Sequence, residues 1–113
     1  MTDQRSYISV CVVAVIGALV VACHSFTTPH ENFKKHMEFN IGRKVDDPAS
    51  YLNRYPSRVI NARNLPNKNI EIEYFSGYKG LGDCTVYFEV DSQTQEIIAW
   101  RFVGSEETCI VVP

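Results

Sequence analysis

The chain has 113 residues, of which 45% are hydrophobic and 21% charged, and a formal net charge of −2. That length holds one domain, the composition excludes wholesale disorder, and so mild a charge excludes a general electrostatic pull towards nucleic acid. The charge is nevertheless unevenly laid out, with eight Lys/Arg against three Asp/Glu in residues 34–68 and two against eight in residues 69–113. Either the two halves face each other or are simply solvated, or the basic half offers a surface to an anionic partner.

Residues 1–6, MTDQRS, carry one basic residue, Arg5, and residues 7–22, YISVCVVAVIGALVVA, carry no charge. This is the order of a secretory signal, and the run falls short of the roughly 20 residues that span a hydrocarbon core. Val20, Val21, Ala22 and Cys23 follow, and the chain turns polar at His24 and Ser25. This stretch resembles the lipobox of bacterial lipoproteins; an uncleaved membrane anchor is the alternative.

The resemblance implies that the Cys23 thiol receives a diacylglyceryl group, that the chain is cut before it, and that the new amine is acylated, with palmitate-type chains. Two or three acyl chains hold a small domain on a bilayer where one holds it only marginally. In enteric bacteria an Asp after the lipidated Cys favours inner-membrane retention, so His24 and Ser25 imply the outer membrane, facing the periplasm. Residues 1–22 then form the signal peptide, residues 23–28 a tether, and residues 29–113 a single periplasmic domain.

Cys11 lies in the discarded run and Cys23 carries lipid, which leaves Cys84 and Cys109. In an oxidising compartment these two are expected to pair, since a metal or redox pair needs closer spacing or further ligands.

In TPHE, Thr28 reads as an N-cap, Pro29 as the first helical residue and Glu31 as the third of the turn. Phe33, Met37 and Ile41 make one apolar stripe, and Gly42 can end the helix as a left-handed residue. VDDPASYLNRYP repeats the logic, with Asp47 as cap, Pro48 as start and Pro56 as stop. On this second helix Tyr51, Leu52 and Tyr55 face the core and Arg54 and Arg58 face outward. INARNLPNKN, dense in Asn, reads as a loop or irregular crossing.

From residue 69 the period becomes two. Ile70, Ile72 and Tyr74 alternate with Glu71 and Glu73, and the glycine-rich SGYKGLGD reads as a mobile connection. Cys84, Val86, Phe88 and Val90 share one face of the next strand. DSQTQ makes a hairpin turn. In EIIAWRFVG, Ile98, Trp100 and Phe102 fall on one side and Ile97, Ala99 and Arg101 on the other. Pairing of residues 90 and 97 brings Cys84 near Val103, where Cys109 can reach it.

The expected fold is α+β, with two N-terminal helices packed on one face of a three-stranded antiparallel meander and one disulfide. In the order of its elements the chain resembles the small outer-membrane lipoproteins of the BamE (SmpA/OmlA) type. That resemblance implies two helices, a three-stranded sheet and binding to other components of outer-membrane assembly. The family's Gly-Met-Thr helix start and the Leu-Gly-x-Pro after it are missing here, so no partner-binding residue is carried over.

For chemistry, His24 lies on the tether, His30 in the first helical turn and His36 beside the apolar stripe. The spacing of His30 and His36 does not give the i, i+4 pair of a metal site. Asp46 and Asp47 point apart, and no nucleophile elbow or phosphate loop is present. The expectation is a non-enzymatic protein without metal or cofactor. Binding remains: Tyr51, Arg54, Tyr55 and Arg58 interleave aromatic and basic groups, suited to an acidic protein surface or to the phosphates of lipid and lipopolysaccharide. Equally, the tyrosines can pack inward and the arginines be solvated. Trp100 with Arg101 and Tyr87 forms a second face if that side of the sheet is uncovered.

Two functions follow. One is a lipid-anchored periplasmic interaction module that docks to an envelope protein assembly, with no nucleic-acid partner. The other is an inhibitor or exclusion factor that acts on a lysozyme, phage receptor or toxin through SGYKGLGD.

Overall fold

The computed structural model describes residues 27–78 and 80–112. The expected signal peptide, Cys23 and most of the tether lie outside them. The described chain forms helix α1 (Pro29–Glu38), a single helical turn α2 (Tyr51–Arg54), a 3-10 turn (Pro56–Arg58) and four strands. These are β1 (Val59–Asn64), β2 (Ile70–Phe75), β3 (Thr85–Val90) and β4 (Ile97–Val103). All neighbours pair antiparallel in the order β1-β2-β3-β4.

Two helices on three strands is therefore not the arrangement adopted: the sheet has four strands, and among the described residues only α1 is a helix of more than one turn. The additional strand is β1, which lies in the stretch expected to be irregular. As an edge strand its residues after Val59 are exposed, so no apolar alternation marks it. Its asparagines belong partly to the turn that follows. The Leu65 N–H donates to the Asn69 carbonyl at 2.8 Å, the Asn67 side chain accepts from the Asn69 N–H at 3.0 Å, and Lys68 takes φ +76°.

Helix α1 begins as its capping residues dictate. Thr28 Oγ1 accepts the Glu31 N–H at 3.0 Å, and Pro29 fills a position where no N–H is needed. Phe33 and Met37 are buried against the sheet, and Ile41 packs on the same core from beyond the helix end. The Phe33 ring meets Phe102 edge-on at 5.5 Å and Trp100 at 5.9 Å. Burying a side chain of this size stabilises the fold by about 1.5–3 kcal/mol. The helix ends at Phe39, which is right-handed; Gly42, at φ +88°, instead turns the chain so that residues 42–45 run beside the start of β4.

The second helix starts three residues later than its sequence suggests. Asp47 Oδ1 accepts from the Ala49 N–H at 2.8 Å and makes a local turn, while Ser50 caps α2 by accepting from Leu52 at 3.1 Å. Asp and Ser are both good caps, and Pro48 is equally at home in the turn before the helix.

The core face of the sheet carries Ile72, Tyr74, Val86, Phe88 and Val90, with Trp100 and Phe102 partly buried. Strand β4 departs from expectation at its start. A bulge in β4, with Ile98 as its extra residue, lets Val90 pair with Ile97 and Glu89 with Ala99. Ile97 therefore turns into the core with no exposure, and Ile98 is 42% exposed. Thr85 pairs with Val103, and Cys84 and Cys109 are joined by a buried disulfide with Cα atoms 5.1 Å apart. On the opposite face Glu71 is buried between Arg63 at 2.7 Å and Arg101 at 3.3 Å.

Candidate functional site

Helix α1, turn α2, the end of β2 and the C-terminal segment converge on a group of tyrosines. Asn40, just past α1 and entirely buried, donates to the His36 carbonyl at 3.0 Å and accepts from the Tyr51 N–H at 2.8 Å. One amide thus closes the end of α1 and receives the start of α2. Tyr51 is thereby set against α1, where its hydroxyl hydrogen-bonds to His36 Nδ1. Its ring meets Tyr55 edge-on at 5.2 Å and lies 6.3 Å from that of Tyr74.

On one side of Tyr51 is a pocket of about 240 Å³ whose walls include His36, Tyr51, Tyr55, Arg58, Tyr74 and Tyr78. On the other side is a second pocket of about 240 Å³, formed by His36, Phe39, Tyr51 and Arg54. The His36–Tyr51 pair is the wall between them. A broader hollow of about 610 Å³ lies beyond Arg58, with Ile60, Phe75 and Tyr78 as apolar walls and Asp83 at its rim.

The four residues expected to bind do different things. Tyr51 is half-buried and Tyr55 37% exposed, and both line the first pocket. Arg54 is exposed, stands over the Tyr55 ring at 5.3 Å and reaches only the second pocket. Arg58 does not face outward as expected: its guanidinium donates to the Phe75 carbonyl at 2.9 Å and the Gly77 carbonyl at 3.3 Å, closing the end of β2. Trp100 and Arg101 do not share a face. Trp100 lies on the helix side and donates to Glu38 at 2.9 Å, whereas Arg101 lies 4.0 Å from the Tyr87 ring on the other.

His36, Tyr74 and Tyr78 complete the pocket without having stood out as site residues. Tyr74 was legible as an inward strand position; nothing local marks Tyr78, which sits in the glycine-rich connection. That connection is packed at its base. A β-carbon on Gly77 would lie 2.6 Å from Phe75 Cζ, and one on Gly82, at φ +108°, would lie 2.8 Å from Thr108 Cγ2.

Burial pushes the Tyr51 hydroxyl above its ordinary pKa, with Tyr55 adding to the effect, and burial pushes Tyr74 further, against the pull of Arg58. Both phenols are therefore neutral at pH 7, able to donate and accept hydrogen bonds but not to act as ready nucleophiles. The arrangement suits recognition: apolar ring faces, three kinds of polar head group, and two arginines at the margins. Among the described residues no cluster of three or more His, Cys, Asp or Glu is arranged to hold a metal ion. His30 lies apart, its Nδ1 2.8 Å from the Cys109 carbonyl.

In comparisons with known proteins, no family model, no curated protein and no solved structure matches the chain.

Proposed function

We propose that the protein is a lipid-anchored, non-enzymatic binding module of a bacterial cell envelope, docked through the Tyr51–Tyr55 pocket to a protein of an envelope assembly. The observation that carries it is the sequence order at the N-terminus: Arg5, then the sixteen uncharged residues 7–22 that end in Val20-Val21-Ala22, then Cys23. The two cysteines left after lipidation are the two that pair, which fits an oxidising compartment. Neutral phenols beside exposed Arg54 favour an acidic, partly apolar protein surface as the partner. By the sorting rule above, His24 and Ser25 favour the outer membrane.

The test has two parts. Intact-mass measurement of native protein is expected to give residues 23–113 plus a diacylglyceryl group; the whole precursor with a bare Cys23 thiol defeats the anchor. Crosslinking in mild detergent is then compared between the native chain and Tyr55→Ala with Arg54→Ala. An envelope protein captured by the first and lost with the second supports docking through the pocket, and unchanged capture defeats it. Loss of muramidase activity on adding the protein, with no envelope protein captured, turns the reading to an inhibitor.

A further inference from the structure

The end of the sheet at which the chain leaves the described residues gathers several segments. The Val111 N–H donates to the Pro29 carbonyl at 3.0 Å and Asn32 Nδ2 to the Val111 carbonyl at 3.1 Å, which binds the C-terminal segment to the first turn of α1. The Val112 N–H reaches the Tyr78 hydroxyl at 3.4 Å, and the Leu81 N–H donates to the Tyr78 carbonyl at 3.0 Å. Val103 pairs with Thr85 at this same end, beside the disulfide. The emergence point of the tether, the 76–83 loop, the end of β4 and the C-terminal segment thus form one pole.

This pole exposes three large apolar side chains, set among acidic ones. Leu81, Val103 and Val112 are 51%, 56% and 61% exposed. At the other end the turns between β1 and β2 and between β3 and β4 present Asn67, Lys68, Ser92, Gln93, Thr94 and Gln95 to solvent.

We propose that this pole lies against a zwitterionic bilayer, with Leu81 and Val112 entering the headgroup region and Val103 beside them. The proposal rests on the N-terminal anchor described above. Four residue steps separate Cys23 from Thr27, and at 3.3–3.6 Å per residue they reach at most about 14 Å. The lipid therefore holds the domain close to the surface with this end nearest, and apolar side chains held there partition into the interface. Tyr78, half-buried between Leu81 and Val112, is a residue type suited to the headgroup level. Exposed Asp83, Glu106 and Glu107 stand in the same segments, so a neutral lipid surface fits and an anionic one is disfavoured.

The test uses the full acylated chain in phosphatidylcholine vesicles, with and without bromine on the acyl chains. Single tryptophans replace Leu81, Val112 or, at the far pole, Gln93, each with Trp100→Phe. Tryptophans at 81 and 112 are expected to lose about half their emission or more to bromine, and the one at 93 almost none, as for groups 5–10 Å inside the boundary. Replacing a third of the lipid by phosphatidylglycerol is expected to weaken that quenching. Equal quenching at all three positions overturns the proposal. So does blue-shifted emission at 81 and 112 without quenching, which means a second copy or another protein covers the pole.

Intact mass of the same preparation keeps the two readings apart. A bare Cys23 thiol defeats the lipid anchor alone, and because an uncleaved run would tether the chain through the same Thr27, the tryptophan pattern still decides the pole.

Discussion

Asn40 accepts a hydrogen bond from the Tyr51 backbone N–H at 2.8 Å while its own amide donates to the carbonyl of His36, the residue that also holds the Tyr51 hydroxyl. A buried amide thus sets where Tyr51 begins its turn, and with it the wall between the two pockets. Asn40→Ala leaves a buried N–H and carbonyl without partners, which costs about 1–3 kcal/mol for each such group. Urea unfolding is expected to show a lowered midpoint, and crosslinked capture through the pocket is expected to weaken as well. Asn40→Asp keeps the acceptor but loses the donor and buries a carboxylate, so its deficit should shrink as pH falls below 5; an equal deficit at pH 4 and pH 7 contradicts this account.

The buried bridge between Cys84 and Cys109 ties the start of β3 to the C-terminal segment across a separation of 25 residues. On the chain-entropy model, closing a loop of that length stabilises the fold by about 3–4 kcal/mol. For a domain of this size that is a large share of the whole. Cys84→Ser and Cys109→Ser are expected to lower the urea midpoint by similar amounts, and the double variant by no more than either. Losses that add would mean that the two thiols act separately.

Two carboxylates at the turn ends contribute to the acid limb of stability. Hydrogen bonds from the Asn69 and Asn67 side chains hold Glu89 below its usual pKa, and the Thr94 and Gln93 N–H groups do the same for Asp91. A carboxylate with a depressed folded pKa contributes stability that is present above its unfolded value and lost as pH falls through the folded one. Melting temperature is therefore expected to hold from pH 7 down to about 5 and to drop below about 4, where ordinary carboxylates titrate. Glu89→Gln, which resembles the protonated form, should lower the melting temperature at pH 7 and make that drop shallower, so that the two chains converge in acid. An acid limb as steep as that of the unaltered chain would assign the loss to other groups.

The sequence speaks clearly where one residue's neighbours decide its state. Thr28 and Pro29 announce α1, Phe33 and Met37 its buried face, and the two-residue period β2, β3 and most of β4. The cysteine tally leads to the pair that forms. It is silent where structure depends on distant partners. β1 has no buried face to imprint a period, so Asn61 and Asn64 look like loop residues until β2 supplies their ladder. Ile97 and Ile98 exchange sides because the bulge at Ile98 is a property of the pair of strands. Of the pocket, Tyr51, Tyr55 and Arg58 are visible as a local pattern; Tyr74, Tyr78 and His36 join them only through the sheet and the buried Asn40.

Gly82 shows how closely the 76–83 connection is fitted to the C-terminal segment. Its φ of +108° is one that side-chain-bearing residues rarely adopt, and an added β-carbon would sit 2.8 Å from Thr108 Cγ2. Thr108 is not free to turn aside, because its hydroxyl accepts from the Ser105 N–H at 3.0 Å. Gly82→Ala is therefore expected to destabilise through both backbone strain and collision. Thr108→Ser removes the colliding methyl and keeps the hydroxyl bonds, so in that background the penalty should fall to the strain alone, about 1–2 kcal/mol. The comparison is a double-mutant cycle read by urea unfolding, and a coupling near zero would mean that the connection moves away from Thr108 instead of pressing on it.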